Sequence, residues 1–215
     1  MEAVLFDMDG LLVDTEKVWY AVETEVVESL GGTWGRAHQQ ELVGGSMAST
    51  AAYIVKVTGT DVGADVVAAR MLAGMTSRLA EGVDLMPGAD ELLTAVREAG
   101  VRTGLVTSSA SAIAGAVLDV VGRERFDVVV TGDDVARPKP DPEPYLLAAR
   151  LLGVPPGSCV VLEDSPNGVT AATAAGCRVV AVPSVLPIPD APGRLVAGSL
   201  LKVTVERLRG LFADV

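Results

Sequence analysis

Two aspartates one residue apart follow the first apolar run of the chain, in the segment Asp7-Met8-Asp9-Gly10. Because side chains alternate along a strand with a period of two, Asp7 and Asp9 are expected to point to the same side at the carboxyl end of that strand. Ligands bind at this edge of open parallel sheets. Carboxylates this close repel each other, so the pair should hold a cation or a shared proton. A turn in which the aspartates cap backbone amides is the structural alternative.

Three short hydroxyl side chains, Thr107, Ser108 and Ser109, end a second apolar run just before a segment of helical length. The free N–H groups and the dipole at the start of a helix attract anions, which makes Thr107 and Ser108 candidate phosphate-binding residues. Helix capping alone would also account for these hydroxyls.

A lysine and two further acidic residues complete the set of candidate site residues. Lys139 lies between two prolines, which fix φ on either side of it and stiffen its approach. Glu163 and Asp164 end another apolar run, and Ser165 with Pro166 has the pattern of a helix N-cap followed by proline at the first helical position. Capping explains Ser165 and Pro166, but it does not explain two acids at the end of a buried strand.

These residue types together indicate phosphoryl chemistry. Carboxylates with water are the ligands that suit Mg²⁺, whereas a lysine and a hydroxyl suit phosphoryl oxygens. A dianionic phosphate bound beside a metal ion would explain why one edge of the sheet carries both signs of charge.

The elements that must position these residues alternate along the chain. Nearly continuous β-branched runs of strand length are separated by segments with helical periodicity, which is typical of parallel strands covered on both faces. This alternation predicts right-handed βαβ crossovers and an α/β fold. The predicted strands are Val4–Phe6, Val101–Thr107, Phe126–Val130, Val160–Leu162 and Val179–Val182.

One stretch, residues 14–82, breaks the alternation. It contains helical patterning and no convincing strand, with valines recurring every four residues at Val18, Val22 and Val26. An all-helical block directly after the first strand predicts a cap inserted into the α/β core. The predicted domains are therefore a core formed by residues 1–13 and 83–215 and a cap formed by residues 14–82.

The four motifs, in this order, resemble those of the haloacid-dehalogenase-like superfamily. The segments Phe6–Glu16 and Glu163–Gly168 resemble its β-phosphoglucomutase-like and phosphoglycolate-phosphatase-like branch. The resemblance covers nearly the whole chain and implies a Rossmann-like parallel sheet with a helical cap at the position of the insert. The motifs that carry it are Asp7-Met8-Asp9-Gly10, Thr107, Lys139 and Glu163-Asp164.

The resemblance also implies a mechanism. Asp7 would attack phosphorus and form an aspartyl-phosphate, and Asp9 would protonate the leaving oxygen and later deprotonate the hydrolytic water. Thr107 and Lys139 would hold the phosphoryl group during transfer. The implied substrate is a small phosphorylated metabolite such as a sugar phosphate.

The implied cofactor is Mg²⁺. The family pattern places it on Asp7, on the main-chain carbonyl of Asp9 and on Asp164, with Glu163 close by or bridging through water. A metal at this position brings two anions together and stabilises charge as it develops.

At two positions this sequence differs from the members of the branch that have phosphoglucomutase activity. Trp19 stands where members with phosphoglucomutase activity carry a cap-hinge histidine, and Gly44–Met47 occupies the place of their phosphate-binding arginine. Both differences favour hydrolysis over mutase activity. The single histidine, His38, lies in a polar segment and is expected to be solvated. The candidate substrate contacts in the cap are Trp19, Met47, Lys56, Arg70 and Arg78.

The amino-acid composition bears on which classes of binding partner the protein has. Of the 215 residues, 17 are Lys or Arg and 28 are Asp or Glu, giving a formal net charge of −11, and such a surface repels nucleic acid and anionic lipid. Cys159 and Cys177 are too few for a disulfide framework and lack metal-ligand spacing. We expect no nucleic-acid or membrane partner and a cytoplasmic location, and the sequence leaves the oligomeric state open, with a monomer slightly favoured.

Other functions stay open at this point. A sugar-phosphate mutase would turn over an isomer without releasing phosphate, and a phosphonate hydrolase would need a cap lysine such as Lys56. A dehalogenase would leave Asp9 and the Glu163-Asp164 pair without a role. From another class, a receiver-like signalling module also uses an acidic cluster, a hydroxyl and a lysine around a phosphorylated aspartate, but it would not need the cap. A catalytically silent binding protein would not need Asp9.

Overall fold

A computed structural model describes residues 1–42 and 44–212. Within these residues, six strands form one sheet in the order β3-β2-β1-β4-β5-β6, and every neighbouring pair is parallel. This confirms the predicted α/β class. The strands are β1 (Ala3–Phe6), β2 (Arg102–Val106), β3 (Val128–Val130), β4 (Cys159–Glu163), β5 (Arg178–Ala181) and β6 (Arg194–Val196).

Helices cover both faces of the sheet. The apolar side chains of β1 alternate between the two faces, with Val4 and Phe6 in one core cluster and Ala3 and Leu5 in the other. All four are fully buried, and burying a side chain such as valine or phenylalanine contributes roughly 1.5–3 kcal/mol. The helices are α1 (Glu16–Ser29), α2 (Arg36–Leu42), α3 (Met47–Thr58), α4 (Ala64–Leu79), α5 (Ala89–Glu98), α6 (Ser111–Val121), α7 (Glu143–Leu152), α8 (Pro166–Ala174) and α9 (Val205–Gly210).

Helices α1 to α4 all fall between β1 and β2, within the segment predicted to be a cap. Helix α4 packs against α1, α3 and the core helix α6, and Gly74 of α4 lets the Val22 side chain of α1 approach closely. The two chain segments that lead into and out of the helical block lie side by side. Asp14 N donates to Asp84 O at 2.8 Å, and Met86 N donates to Leu12 O at 2.9 Å. We keep the name cap for residues 14–82, and its boundaries stay a prediction.

The sequence patterns missed four elements. The edge strand β6 has only three residues, all of them half-buried, so its apolar pattern is too short to detect. Helix α2 is polar, and the patterns predict no helix at α2, α7 or α9. Among the described residues, no helix combines the length and the apolar character needed to cross a membrane.

Candidate active site

The strand ends bring the candidate residues together at the carboxyl edge of the sheet. Asp7 directly follows β1, Thr107 follows β2 and Asp164 follows β4, while Lys139 lies on the connection from β3 to α7. All four line one cleft between this edge and the cap. A concave cleft with a few convergent polar groups is typical of a small-molecule site.

Lys139 is the cation of this edge. The residue is 5% exposed, and its ammonium group donates to Asp7 Oδ1 and Glu163 Oε1, each at 2.6 Å, and to Val106 O at 2.9 Å. These three acceptors use all three N–H bonds of the ammonium group. Burial opposes the charge, but the two carboxylates outweigh burial and raise the pKa of Lys139 above its usual range. Lys139 is therefore protonated and fixed in orientation.

Glu163 is fully buried and both of its oxygens are already bonded. Oε1 accepts from Lys139 and from the Tyr145 hydroxyl at 2.6 Å, and Oε2 accepts from the backbone N–H groups of Asp164 and Ser165 and from the Ser165 hydroxyl. A Cβ atom on Gly168 would lie 1.7 Å from Glu163 Oε1, so only glycine fits there. This bonding fits a residue that positions Lys139, and direct metal binding by Glu163 stays a prediction.

Asp7, Glu163 and Asp164 form a buried acidic cluster whose carboxylate oxygens lie within 4.8 Å of one another. Burial, the Glu163 charge and the Asp9 charge raise the pKa of Asp7 to about 8, although Lys139 opposes them. Burial and the Asp7 charge likewise raise the pKa of Asp164 well above its usual range. With its carboxylates ionised, the cluster would carry more negative charge than Lys139 balances, which fits a divalent cation with oxygen ligands.

Gly10 keeps the first motif close to the fourth. Its φ is +76°, and a Cβ atom there would lie 2.3 Å from Asp164 Oδ2. Glycine is required on both counts, because other residues rarely adopt this φ and because any side chain would displace Asp164. The Ser184 hydroxyl donates a hydrogen bond to the same oxygen, Asp164 Oδ2.

Asp9 is held from both sides of the cleft. Its Oδ1 accepts from the Thr15 hydroxyl at 2.7 Å and from Trp19 Nε1 at 3.1 Å, both on the cap side. Its Oδ2 accepts from the hydroxyls of Thr107 at 3.2 Å and Ser109 at 2.8 Å on the core side. A carboxylate with four donors has a fixed direction, as an acid–base group needs.

The hydroxyl predicted to bind phosphate at Thr107 thus bonds to Asp9 in this structure, although Thr107 lines the cleft. The Ser108 side chain has a buried Oγ with no hydrogen-bond partner among the described residues, and Ser108 also lines the cleft. An unpaired buried hydroxyl is a donor available to an incoming anion.

The opposite side of the cleft, here called the cap wall, comes from α1, α2 and the start of α3. Trp19 and Met47, predicted as substrate contacts, are part of it. The predicted candidates Lys56, Arg70 and Arg78 are not among the described residues that line the cleft; Arg78 instead pairs with Glu25. The side chains of the cap wall are Glu16, Trp19, Glu23, Gln39, Leu42, Ser46, Met47 and Thr50.

Sequence reasoning missed several of these neighbours. Glu16, Glu23 and Gln39 were not singled out, and Tyr145 lies in a helix that was not predicted. His38, expected to be solvated, stacks on the Trp34 ring with centroids 4.8 Å apart, and its Nδ1 lies 2.9 Å from the Tyr53 hydroxyl.

Comparisons with known proteins agree with this geometry. Residues 4–182 match the family model of haloacid dehalogenase-like hydrolases. The chain is 34% identical over 212 residues to hexitol phosphatase A of Escherichia coli, covering 94% of this chain and 93% of that protein. Two crystal structures of CbbY from Rhodobacter sphaeroides, one with phosphate and one of a mutant with xylulose-(1,5)bisphosphate, each superpose with a TM-score of 0.88 at 30% identity, covering 97% of this chain and 99% of theirs. The chain belongs to the haloacid dehalogenase-like hydrolases.

Proposed function

We propose that this protein is a Mg²⁺-dependent phosphatase that hydrolyses a small phosphorylated metabolite, a sugar phosphate or a similar phosphomonoester, through an aspartyl-phosphate on Asp7. The observation that carries the proposal is the meeting of Asp7, Asp9, Lys139 and Asp164 in one cleft. The family assignment and the relatives named for hexitol phosphate hydrolysis or solved with bound phosphate support the same reaction class.

Asp7 is the nucleophile. Lys139 holds its Oδ1, which orients the carboxylate and leaves Oδ2 as the oxygen that attacks phosphorus. The new bond joins Asp7 Oδ2 to phosphorus while the bond from phosphorus to the substrate oxygen breaks. The unpaired Ser108 hydroxyl is a donor for the phosphoryl oxygens, and the positive charge of Lys139 stabilises the charge on these oxygens during the transfer.

Asp9 is the acid–base group. It gives a proton to the oxygen of the leaving alcohol in the first half-reaction. In the second half-reaction it takes a proton from a water molecule, which attacks phosphorus and releases inorganic phosphate and the free Asp7 carboxylate. The four hydrogen bonds from Thr15, Trp19, Thr107 and Ser109 hold it ready for both steps.

Asp7, Asp164 and the main-chain carbonyl of Asp9 are the groups that would hold Mg²⁺. When bound, the metal offsets the repulsion between the carboxylates and draws charge from the phosphoryl oxygens. Glu163, with both oxygens bonded, acts by holding Lys139 in place.

The side chain of Trp19, where the chain enters the cap, favours hydrolysis over a mutase reaction. Trp19 offers one N–H donor, which it gives to Asp9, and it has no basic atom. Proton transfer with a second sugar hydroxyl would need a base on the cap side at this position.

The test is phosphate release from p-nitrophenyl phosphate and from a hexitol monophosphate, with Mg²⁺, with excess chelator and with Ca²⁺. We expect release with Mg²⁺, none with chelator, and inhibition by Ca²⁺, since the larger ion accepts more oxygens and would occupy both oxygens of Asp7. Full activity in chelator would contradict the metal assignment. Isomer formation without phosphate release would instead identify a mutase.

A further inference from the structure

The cap wall contains two carboxylates, an amide, two hydroxyls and apolar groups, and it contains no cation among the described residues. The cleft as a whole is lined by five carboxylates, three from the core and two from the cap, and by one cation, Lys139. Lys139 is fully engaged at the catalytic edge. Whatever part of a substrate extends towards the cap therefore meets Glu16 and Glu23 without a neutralising partner.

Glu23 is held so that one of its oxygens is left over for a ligand. The side chain is 4% exposed, and Trp34 Nε1 donates to its Oε2 at 3.1 Å. The Trp34 ring is itself fixed, because His38 stacks on it and the Tyr53 ring meets it edge-on. Among the described residues, no donor is bonded to Glu23 Oε1, which leaves it as an acceptor at the cleft.

Gln39 and Glu16 form a second pair of acceptors. Gln39 Nε2 donates to Glu16 O at 3.0 Å and to Glu16 Oε2 at 3.1 Å. The amide N–H groups of Gln39 are thereby used, so its carbonyl oxygen and Glu16 Oε1 remain as acceptors. Burial and neighbouring acids raise the pKa of Glu16 and of Glu23 to about 7 each, as expected for carboxylates that no cation accompanies.

Acceptors of this kind select donors. A hydroxyl group donates one hydrogen bond and satisfies such an oxygen, whereas a phosphate or carboxylate brings only further acceptors and like charge. An anion placed beside Glu16 and Glu23 would lose hydration and meet like charge, with no cation of the cap wall among the described residues to balance it. A site built to bond hydroxyls also discriminates strongly against an analogue that lacks them.

We propose that Glu16, Glu23 and Gln39 bind the hydroxyl groups of a neutral, polyhydroxylated leaving group and exclude substrates that carry a second anionic group. The inference rests on the proposed phosphatase activity and names its substrate class: a polyol or sugar with a single phosphate. Bisphosphates and phosphorylated sugar acids are excluded, even though their phosphomonoester groups are chemically equivalent.

The experiment compares kcat/KM for a hexitol monophosphate, the matching bisphosphate, the matching sugar-acid monophosphate and p-nitrophenyl phosphate. We expect the hexitol monophosphate to exceed both doubly anionic analogues by about 100-fold. Comparable kcat/KM for the bisphosphate or the sugar acid would overturn this inference and leave the proposed function standing. Absence of phosphate release from all four esters would overturn the proposed function.

Variants locate the selection in the cap wall. Glu23→Gln removes one charge at nearly constant shape and should reduce the preference for the hexitol monophosphate over the bisphosphate by about tenfold. Glu28→Gln, an exposed change on the same helix, is the matched control and should leave every ratio unchanged. An unchanged preference in Glu23→Gln, shown by its circular dichroism to be folded, would contradict the assignment. An amino-sugar monophosphate that outperforms its neutral counterpart tenfold would show that the carboxylates select an ammonium group instead.

Discussion

The carboxyl edge of the sheet and the cap wall face each other across one cleft, but they hold their charges in opposite ways. At the edge, Glu163 accepts from five donors and Asp9 from four, and Lys139 joins two of the acids. In the cap wall, Glu16 and Glu23 each have one side-chain donor among the described residues. The edge is organised before substrate arrives, whereas the cap wall has carboxylate oxygens that no donor of the described residues bonds.

This difference assigns separate tasks to the two sides. Preorganised groups at the edge stabilise charge that develops in the transition state, so their loss should affect every phosphomonoester alike. Groups of the cap wall contact the leaving alcohol, so their loss should change the ratio between a hexitol monophosphate and p-nitrophenyl phosphate. That ratio is the measurement on which the comparison depends.

The largest effect is expected at Asp7, the proposed nucleophile. Asp7→Asn should lower kcat for both esters by at least about 10³-fold, because the amide is a poor nucleophile and a weaker metal ligand. The fold should persist, since the change removes a charge from a crowded acidic cluster. Phosphate release and thermal melting measure the two effects. Asp119→Asn, an exposed change on the core helix α6, serves as the control, and substantial turnover by Asp7→Asn would refute the aspartyl-phosphate.

A change at Lys139 should cost both activity and stability. Lys139→Met leaves Asp7 and Glu163 buried without their cation, and breaking a buried ion pair on one side typically costs about 3–5 kcal/mol. We expect a loss of that order in the free energy of unfolding by urea at neutral pH, with the ratio between the two esters unchanged. Adding Glu163→Gln to Lys139→Met should recover part of the stability. A double variant less stable than Lys139→Met would show that Glu163 is not paired with this lysine.

The two sides also differ in how far the sequence predicts them. Asp7, Thr107 and Asp164 each follow a strand at once, and the ends of parallel strands necessarily meet at one edge. Their proximity therefore follows from the apolar runs alone. The bonding between them does not, because the approach of Thr107 to Asp9 and of Tyr145 to Glu163 depends on loop geometry and on a helix that was not predicted.

The sequence predicts the residues of the cap wall less well than those at the edge of the sheet. Glu16, Trp19 and Glu23 are spaced by three and four residues, which places them on one face of α1 and could have identified that face. Gln39 and Met47 come from other helices, and only the packing of α2 and α3 brings them to the cleft. One-dimensional periodicity carries no information about which helix faces meet.

A smaller effect is expected on the free energy of unfolding when the cap carboxylate Glu23 is replaced. Burial raises the pKa of Glu23 to about 7, so the folded protein keeps a proton that the unfolded chain releases above about pH 4.5. Folding stability should therefore fall as the pH rises from about 4.5 to about 7. Glu23→Gln cannot ionise and should be more stable than the parent protein by on the order of 2 kcal/mol at pH 8, with little difference at pH 4. Urea unfolding at both pH values, with Glu28→Gln as control, measures this; equal stability at pH 8 would show that Glu23 is not strained by burial.

The smallest expected change is a shift in preference caused by one added cation. Met47 is the first residue of α3 and lines the cleft, so Met47→Arg brings a guanidinium group towards the cap wall. Its donors can bond a second phosphate, and its charge offsets part of the repulsion from Glu16 and Glu23. We expect kcat/KM for a hexitol bisphosphate to rise about tenfold relative to the monophosphate, while p-nitrophenyl phosphate, which needs little from the cap, changes less than about threefold.

Val57→Arg is the control that separates position from charge, because it adds the same cation to the exposed face of the same helix. If Met47→Arg acts through the cleft, Val57→Arg should leave the ratio between bisphosphate and monophosphate unchanged. If both variants raise this ratio equally, the effect comes from a less negative net charge than the −11 of the parent protein, which weakens the repulsion of all anions. The cap wall would then not select between monophosphate and bisphosphate. The ratio in high salt gives an independent check, since long-range attraction is screened within about 10 Å at moderate ionic strength and a direct contact in the cleft is screened much less.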